Sequence, residues 1–140
     1  MYGEYAHTID TKGRMFLPSK FRSTLGDRVY LVRGIDNCVC IYPVEEFDKF
    51  IAKLDAAPHT ETKARNVKRA LCASAVDTDV DAQGRVLIPS KLRSMAGLEK
   101  SVIVVGMGDK AEIWNPERYE ACMAKMDAAE IEAELIGLGL

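Results

Sequence analysis

The chain has 140 residues, of which 48% are hydrophobic, and its 19 Lys and Arg face 21 Asp and Glu for a formal net charge of −2. This is the composition of one ordinary globular domain or two very small ones, and it excludes wholesale disorder. The opening MYGEYAHTID has no basic segment leading into an apolar one, and no apolar run reaches the roughly 18 residues of a membrane helix, so a cytoplasmic protein with no membrane partner is expected.

Residues 5–9 alternate and predict a half-buried strand. Asp10-Thr-Lys-Gly13 follows as a turn, with Asp first to accept turn amides and Gly fourth to tolerate a positive φ. The next stretch, RMFLP, reads as a short apolar strand buried on both faces; Pro18 then opens a short helix in which Phe21 and Leu25 stand four apart before a terminating Gly26. VYLVRGIDNCVCIYP reads as two strands about an Asp-containing turn, with Cys38 and Cys40 on one strand face. A helix over 44–54 carries Phe47, Phe50, Ile51 and Leu54 at helical spacing. AAPHTET is a linker that includes Pro58, and Thr60 is the expected cap of a helix running to about Cys72.

The order then repeats. Residues 76–80 alternate, with Val76, Thr78 and Val80 facing one way; Asp81-Ala-Gln-Gly84 is the second turn; RVLIP is the second short strand; Leu92 and Ala96 precede Gly97. VIVVGMGDKAEIWNP is the second hairpin, and Asn115 caps a helix over 116–126. DTKGRMFLPSKFRS at Asp10 and DAQGRVLIPSKLRS at Asp81 thus stand seventy-one residues apart and agree at Asp, Gly, Arg, Pro, Ser, Lys, Arg and Ser. Each half alone is near the size at which a core is only marginally stable, so the two are expected to share one. The expected division is a first repeat over 1–58, a linking helix over 59–75, a second repeat over 76–126 and an acidic tail over 127–140.

The doubled D-x-[KQ]-G-R-x-x-[LI]-P-x-K-[FL]-R pattern, the Ile-Trp after the second hairpin and the opening MYGEYAHTID resemble the MraZ family of bacterial regulators, built from two AbrB-type swapped-hairpin units. The resemblance covers the chain to about Met126; the tail matches no recognised family motif. It implies an α+β fold in which two interleaved units form a pseudo-twofold, β-barrel-like core with short flanking helices. It further implies double-stranded DNA bound by the D-x-x-G-R loops, ring-shaped homo-oligomers and a nucleoid-associated repressor. The implied target lies upstream of the cell-division and wall-synthesis gene cluster containing its own gene.

Net acidity argues against strong sequence-independent DNA affinity, which rests on cations displacing counterions at phosphates. Distribution answers this: Lys12, Arg14, Lys20 and Arg22 stand in the first motif and Arg85, Lys91 and Arg93 in the second, opposed there only by Asp10 and Asp81. Arg14 and Arg85 read either as partners of a surface Asp-Arg staple or as forks for phosphate or a guanine edge. Gln83, which replaces Lys12 in the second loop, reads a base or is solvated. Lys20 and Lys91 divide between phosphate contact and solvation, and Arg22 and Arg93 between DNA and neutralising turn or strand carboxylates. A rival basic face is Arg65, Lys68 and Arg69, with Lys63 on the same helix. Tyr42 and Trp114 are read as core or subunit-interface anchors.

Neither His7 nor His59 has a sequence neighbour suggesting a base or nucleophile, and no Gly-rich phosphate loop appears, so no enzyme, small-molecule substrate or cofactor is expected. The four cysteines are read as reduced, and CxC with two scattered His lacks zinc-ligand spacing. The competing class is an antitoxin-like interaction or assembly protein that keeps the swapped-hairpin fold with incidental DNA affinity.

Overall fold

The computed structural model describes residues 1–57 and 60–140; Pro58 and His59, in the expected linker, lie outside them. Among the described residues, eight strands and six α-helices follow the doubled order. The first repeat supplies β1 (Glu4–Thr8), β2 (Arg14–Phe16), a 3-10 turn (Ser19–Phe21) running into α1 (Arg22–Leu25), β3 (Arg28–Arg33), β4 (Val39–Pro43) and α2 (Val44–Ala56). After α3 (Thr62–Ser74) the second supplies β5 (Val76–Asp79), β6 (Arg85–Leu87), α4 (Ser90–Ala96), β7 (Ser101–Gly106), β8 (Ala111–Trp114) and α5 (Pro116–Met123), followed by α6 (Ala128–Gly137).

Strand pairing interleaves the repeats. The six-stranded antiparallel sheet runs β1-β7-β8-β4-β3-β5, so the first strand of each repeat pairs with the third strand of the other. β4 and β8 meet at the seam, Cys40 opposite Glu112. The two short strands leave this sheet and pair with each other as a ribbon in which Met15 lies opposite Val86. Each repeat thus covers the other's exposed edge, which neither half could do alone.

One core holds both halves together: Met15, Leu17, Phe21, Leu25, Leu31 and Ile41 pack with Val86, Ile88, Leu92, Val104 and Ile113. A second cluster of Val32, Cys38, Cys40, Tyr42, Phe47 and Trp114 lies under α2 and includes a Tyr30–Phe47 stack with centroids 4.2 Å apart. Tyr42 and Trp114 are therefore core residues rather than subunit anchors; the exposed apolar side chains include Met123 on α5 and Ile131, Leu135 and Ile136 on α6.

Three local expectations change. RMFLP and RVLIP are not buried on both faces: Phe16 is 48% and Leu87 50% exposed, because among the described residues the ribbon packs against the core on one side only. The N-cap of α3 is Glu61, without a side-chain cap, and not Thr60. Helix α5 stops at Met123, and the acidic tail forms α6, capped by the Asp127 carboxylate accepting the Glu130 N–H at 2.8 Å. Asn115 caps α5 as expected, accepting the Arg118 N–H at 3.1 Å. Among the described residues no helix is long and apolar enough to cross a membrane.

Candidate nucleic-acid interface

Both D-x-x-G-R loops are built by one carboxylate. Asp10 Oδ1 accepts the N–H groups of Lys12 and Arg14, each at 2.9 Å, and its Oδ2 accepts Arg14 Nε at 2.9 Å. Asp81 does the same for Gln83 and Arg85, at 2.9, 2.9 and 2.8 Å. The fourth residue closes each turn, Gly13 N–H donating to the Asp10 carbonyl at 3.0 Å and Gly84 N–H to that of Asp81 at 2.9 Å. These glycines hold φ of +85° and +83°, the left-handed region that a side chain disfavours.

The hydrogen bonds depress both carboxyls below their ordinary value. For Asp10 the foremost cause is the Arg14 backbone N–H, with the Arg14 side chain and the Lys12 N–H adding to it; for Asp81 the Arg85 and Gln83 groups play the same parts. The Asp-Arg staple is thus present in both loops. It does not exclude an outside contact, because it engages only Nε. Among the described residues, the terminal nitrogens of Arg14 and Arg85 make no hydrogen bond and remain available to an external acceptor.

Each loop is fastened to the other repeat. Ile88 N–H donates to the Gly13 carbonyl and Leu17 N–H to the Gly84 carbonyl, both at 2.9 Å, which sets the loops at opposite corners of the β2–β6 ribbon. The ribbon's register puts Arg14 opposite Leu87 and Phe16 opposite Arg85. Since Met15 and Val86 point into the core, these four share the open face. Arg14 and Arg85 are diagonal neighbours there, about 7–8 Å apart between α-carbons, and the Arg85 guanidinium lies 5.8 Å from the Phe16 ring centroid.

Arg22 and Arg93 also reach across. A methyl group on Gly13 would stand 3.0 Å from Arg93, and one on Gly84 would overlap Arg22, so each loop has the opposite repeat's arginine against its glycine. Arg93 Nε donates to the Ile88 carbonyl at 2.9 Å. Neither arginine pairs with a carboxylate among the described residues, which corrects the charge-neutralising reading. The first loop therefore gathers Lys12, Arg14 and Arg93, and the second Arg85, Arg22 and Gln83. Lys20 and Lys91 are exposed on the short helices and have no ion-pair partner among the described residues.

The rival basic face on α3 is partly neutralised, since Lys68 pairs with Asp55 of α2, while Arg69 keeps its charge and donates to the neutral Asn66 side chain at 3.0 Å. Sequence reasoning missed Phe16 and Leu87 as surface residues. A run of apolar residues without alternation carries no signal of which face lies open.

Comparison with known proteins completes the picture. The family model described as "MraZ protein, putative antitoxin-like" matches the chain twice, over residues 1–70 and 71–138, so the second match takes in α6 and the tail is part of the family pattern. Proteins named transcriptional regulator MraZ are similar over most of their length. The one from Acetivibrio thermocellus is 41% identical over 99% of both chains. The one from Thermoanaerobacter pseudethanolicus is 47% identical over 86% of this chain and 84% of its own, and the one from Halothermothrix orenii is 39% identical over 99% and 98%. With both repeats matched by one family pattern and relatives of this identity covering most of the chain, the chain belongs to the MraZ family.

Proposed function

We propose that this protein is a DNA-binding transcriptional regulator whose contact surface is the open face of the β2–β6 ribbon with its two flanking loops. The observation that carries the reading is convergence. Two loops far apart in sequence are pinned to one ribbon, with Lys12, Arg14, Arg93, Arg85 and Arg22 about them and free guanidinium nitrogens directed by carboxylate staples. A two-stranded ribbon fits the major groove, and an arginine fork matches phosphate or guanine O6 and N7. Exposed Phe16 and Leu87 add apolar contact suited to thymine methyls. The names of the relatives support regulation of transcription.

In the finer reading, the protein is a repressor of the cell-division and wall-synthesis cluster containing its own gene, acting from the cytoplasmic nucleoid on direct repeats upstream. The domain division is that of two repeats joined by a linking helix. One chain offers few phosphate contacts, each worth a salt slope of about −0.9. Affinity then comes from a ring-shaped homo-oligomer presenting many such faces, so that weak sites add by avidity. The apolar α5 and α6 residues supply surface for assembly.

The test is titration with upstream DNA carrying one, two or three repeats, then with the repeats shifted by half a helical turn. Affinity and salt slope should rise with repeat number and collapse with the phase shift. Indifference to both overturns the reading and favours the antitoxin-like interaction protein that the family description names.

A further inference from the structure

At the seam between the repeats, away from the DNA-facing ribbon, Cys38 and Cys40 from the first repeat meet Glu112 from the second. The two sulfurs and a carboxylate oxygen all lie within 4.8 Å of one another. Strand pairing supplies what the sequence spacing lacked: β4 and β8 place Cys40 directly opposite Glu112, so the third donor comes from the other repeat. Both thiols are free and buried, Cys38 fully and Cys40 with 4% exposure.

The surroundings are shaped for these donors. Gly34 leaves the volume the sulfurs occupy, since a methyl group there would overlap Cys38 Sγ and stand 3.1 Å from Cys40 Sγ. The Trp114 indole N–H donates to Glu112 Oε1 at 3.1 Å, orienting the carboxylate as outer partners of metal ligands do. Cys40 and Glu112 also line a cavity of about 490 Å³ with Tyr42, Lys110 and Met107, which provides an entry path and room for a fourth ligand.

We propose that Cys38, Cys40 and Glu112 form a zinc site that staples the two repeats together at the β4–β8 seam. Two thiolates select a borderline-soft ion over magnesium or calcium, and the carboxylate suits Zn²⁺ better than Cu⁺. Charge is largely offset: two thiolates and one carboxylate carry −3, against +2 from the ion and +1 from Lys110, which sits in the same cavity, donates to the Tyr42 hydroxyl at 3.4 Å and has Asp109 beside it. Binding displaces two thiol protons to solvent. A tetrahedral zinc holds its donors about 3.5–3.8 Å apart, so modest side-chain rotation closes the cluster on the ion. The fourth position faces the cavity, where water can fill it.

The experiment uses the full chain with thiols kept reduced by a phosphine and with exposed Cys72 and Cys122 both changed to Ser. Zn²⁺ alone should bind at one ion per chain with proton release and raise the melting temperature in a concentration-dependent way. Co²⁺ should give thiolate charge-transfer absorption. Cys40→Ser should abolish that absorption, and Glu112→Gln, which keeps an acceptor for Trp114, should weaken Zn²⁺ binding at least about tenfold. X-ray absorption on the Zn²⁺-loaded parent, which depends on no ligand variant folding, should show two sulfur neighbours and lighter scatterers. Absence of stoichiometric Zn²⁺ binding by the reduced parent, or a zinc shell without sulfur, overturns the proposal.

Discussion

The loops at Asp10 and Asp81 share a skeleton and differ in what they hold out to solvent. Each uses one carboxylate for the same three hydrogen bonds, at 2.8–2.9 Å in both. Yet the first carries Lys12 where the second has Gln83, and the Arg14 side chain is 33% exposed against 21% for Arg85, which lies by the Phe16 ring. Backbone geometry has been kept while charge has drifted. The skeleton fixes where a guanidinium stands, and the residue two places earlier sets how strongly the loop attracts an anion. If the loops meet DNA as proposed, their inequality predicts that the two will contribute unequally to binding.

The largest effect should come from the fork arginines. Arg14→Ala removes a staple partner and a fork that, if bidentate to a base, is worth about 1–3 kcal/mol, so affinity for the upstream DNA should fall roughly tenfold or more. Arg85→Ala should cost less, because that side chain is less exposed and has no neighbouring Lys in its loop. Quantitative binding with assembly checked in parallel decides it; equal or reversed losses would show that burial and charge do not rank the loops.

Next come the glycines, where the loops should behave alike. Ala at Gly13 or Gly84 has to adopt the left-handed region at a cost of about 1–2 kcal/mol, readable by denaturant unfolding. The crowding differs: Arg93 is tied to the Ile88 carbonyl, whereas the Arg22 side chain makes no hydrogen bond or ion pair among the described residues and can swing aside from a methyl on Gly84. Gly13→Ala should therefore be the more harmful by a small margin. A loss well below 1 kcal/mol at both sites would mean the turns relax out of their positive φ.

Exchanging the second-position residues sharpens the comparison directly. Gln83→Lys should steepen the salt slope of DNA binding by up to about 0.9 and Lys12→Gln should flatten it by the same amount, with no change in folding, since both side chains are exposed. No change in either slope would place the loop tips away from phosphate.

How much of this was legible in the sequence follows from what repeats and turns encode. Asp first and Gly fourth specify the loop chemically, so Asp10, Gly13, Asp81 and Gly84 could be assigned their turn roles before any coordinates. Contacts that cross between repeats could not be read. Arg22 looked like a neutralising charge because the glycine it covers lies in the other loop; Glu112 had no visible connection to Cys40 before β4 and β8 were paired. Phe16 and Leu87 were misread for a related reason: a strand of three residues has too short a pattern to reveal which face the core takes. The end of α5 and the whole of α6 were not assigned because the tail was characterised by its acidic charge alone, and the cap that starts α6, Asp127, was not recognised.

The smallest expected difference between the loops is in their response to acid, and the cause of the depressed carboxyls explains why. In both, the foremost contribution is a backbone N–H, from Arg14 to Asp10 and from Arg85 to Asp81, with the side-chain bond and the second amide following. A carboxyl whose value is lowered in the folded state lends stability above its unfolded value, near the ordinary 3.8, and loses it as pH falls through the lowered folded value. The loops should therefore stay intact down to about pH 4 and open only in stronger acid. Because the N–H donors are the same in both, exchanging Lys12 and Gln83 should hardly move either midpoint, and added salt should shift them little, in contrast to DNA binding. Carbon-detected titration of the two carboxyls checks this, with Asp10→Asn as the variant that keeps an oxygen for the amides but loses the charge facing Arg14. An Asp10 midpoint well below that of Asp81 that climbs as salt is added would transfer the cause from the shared backbone to the unshared lysine, and the two loops would differ in skeleton as well as in charge.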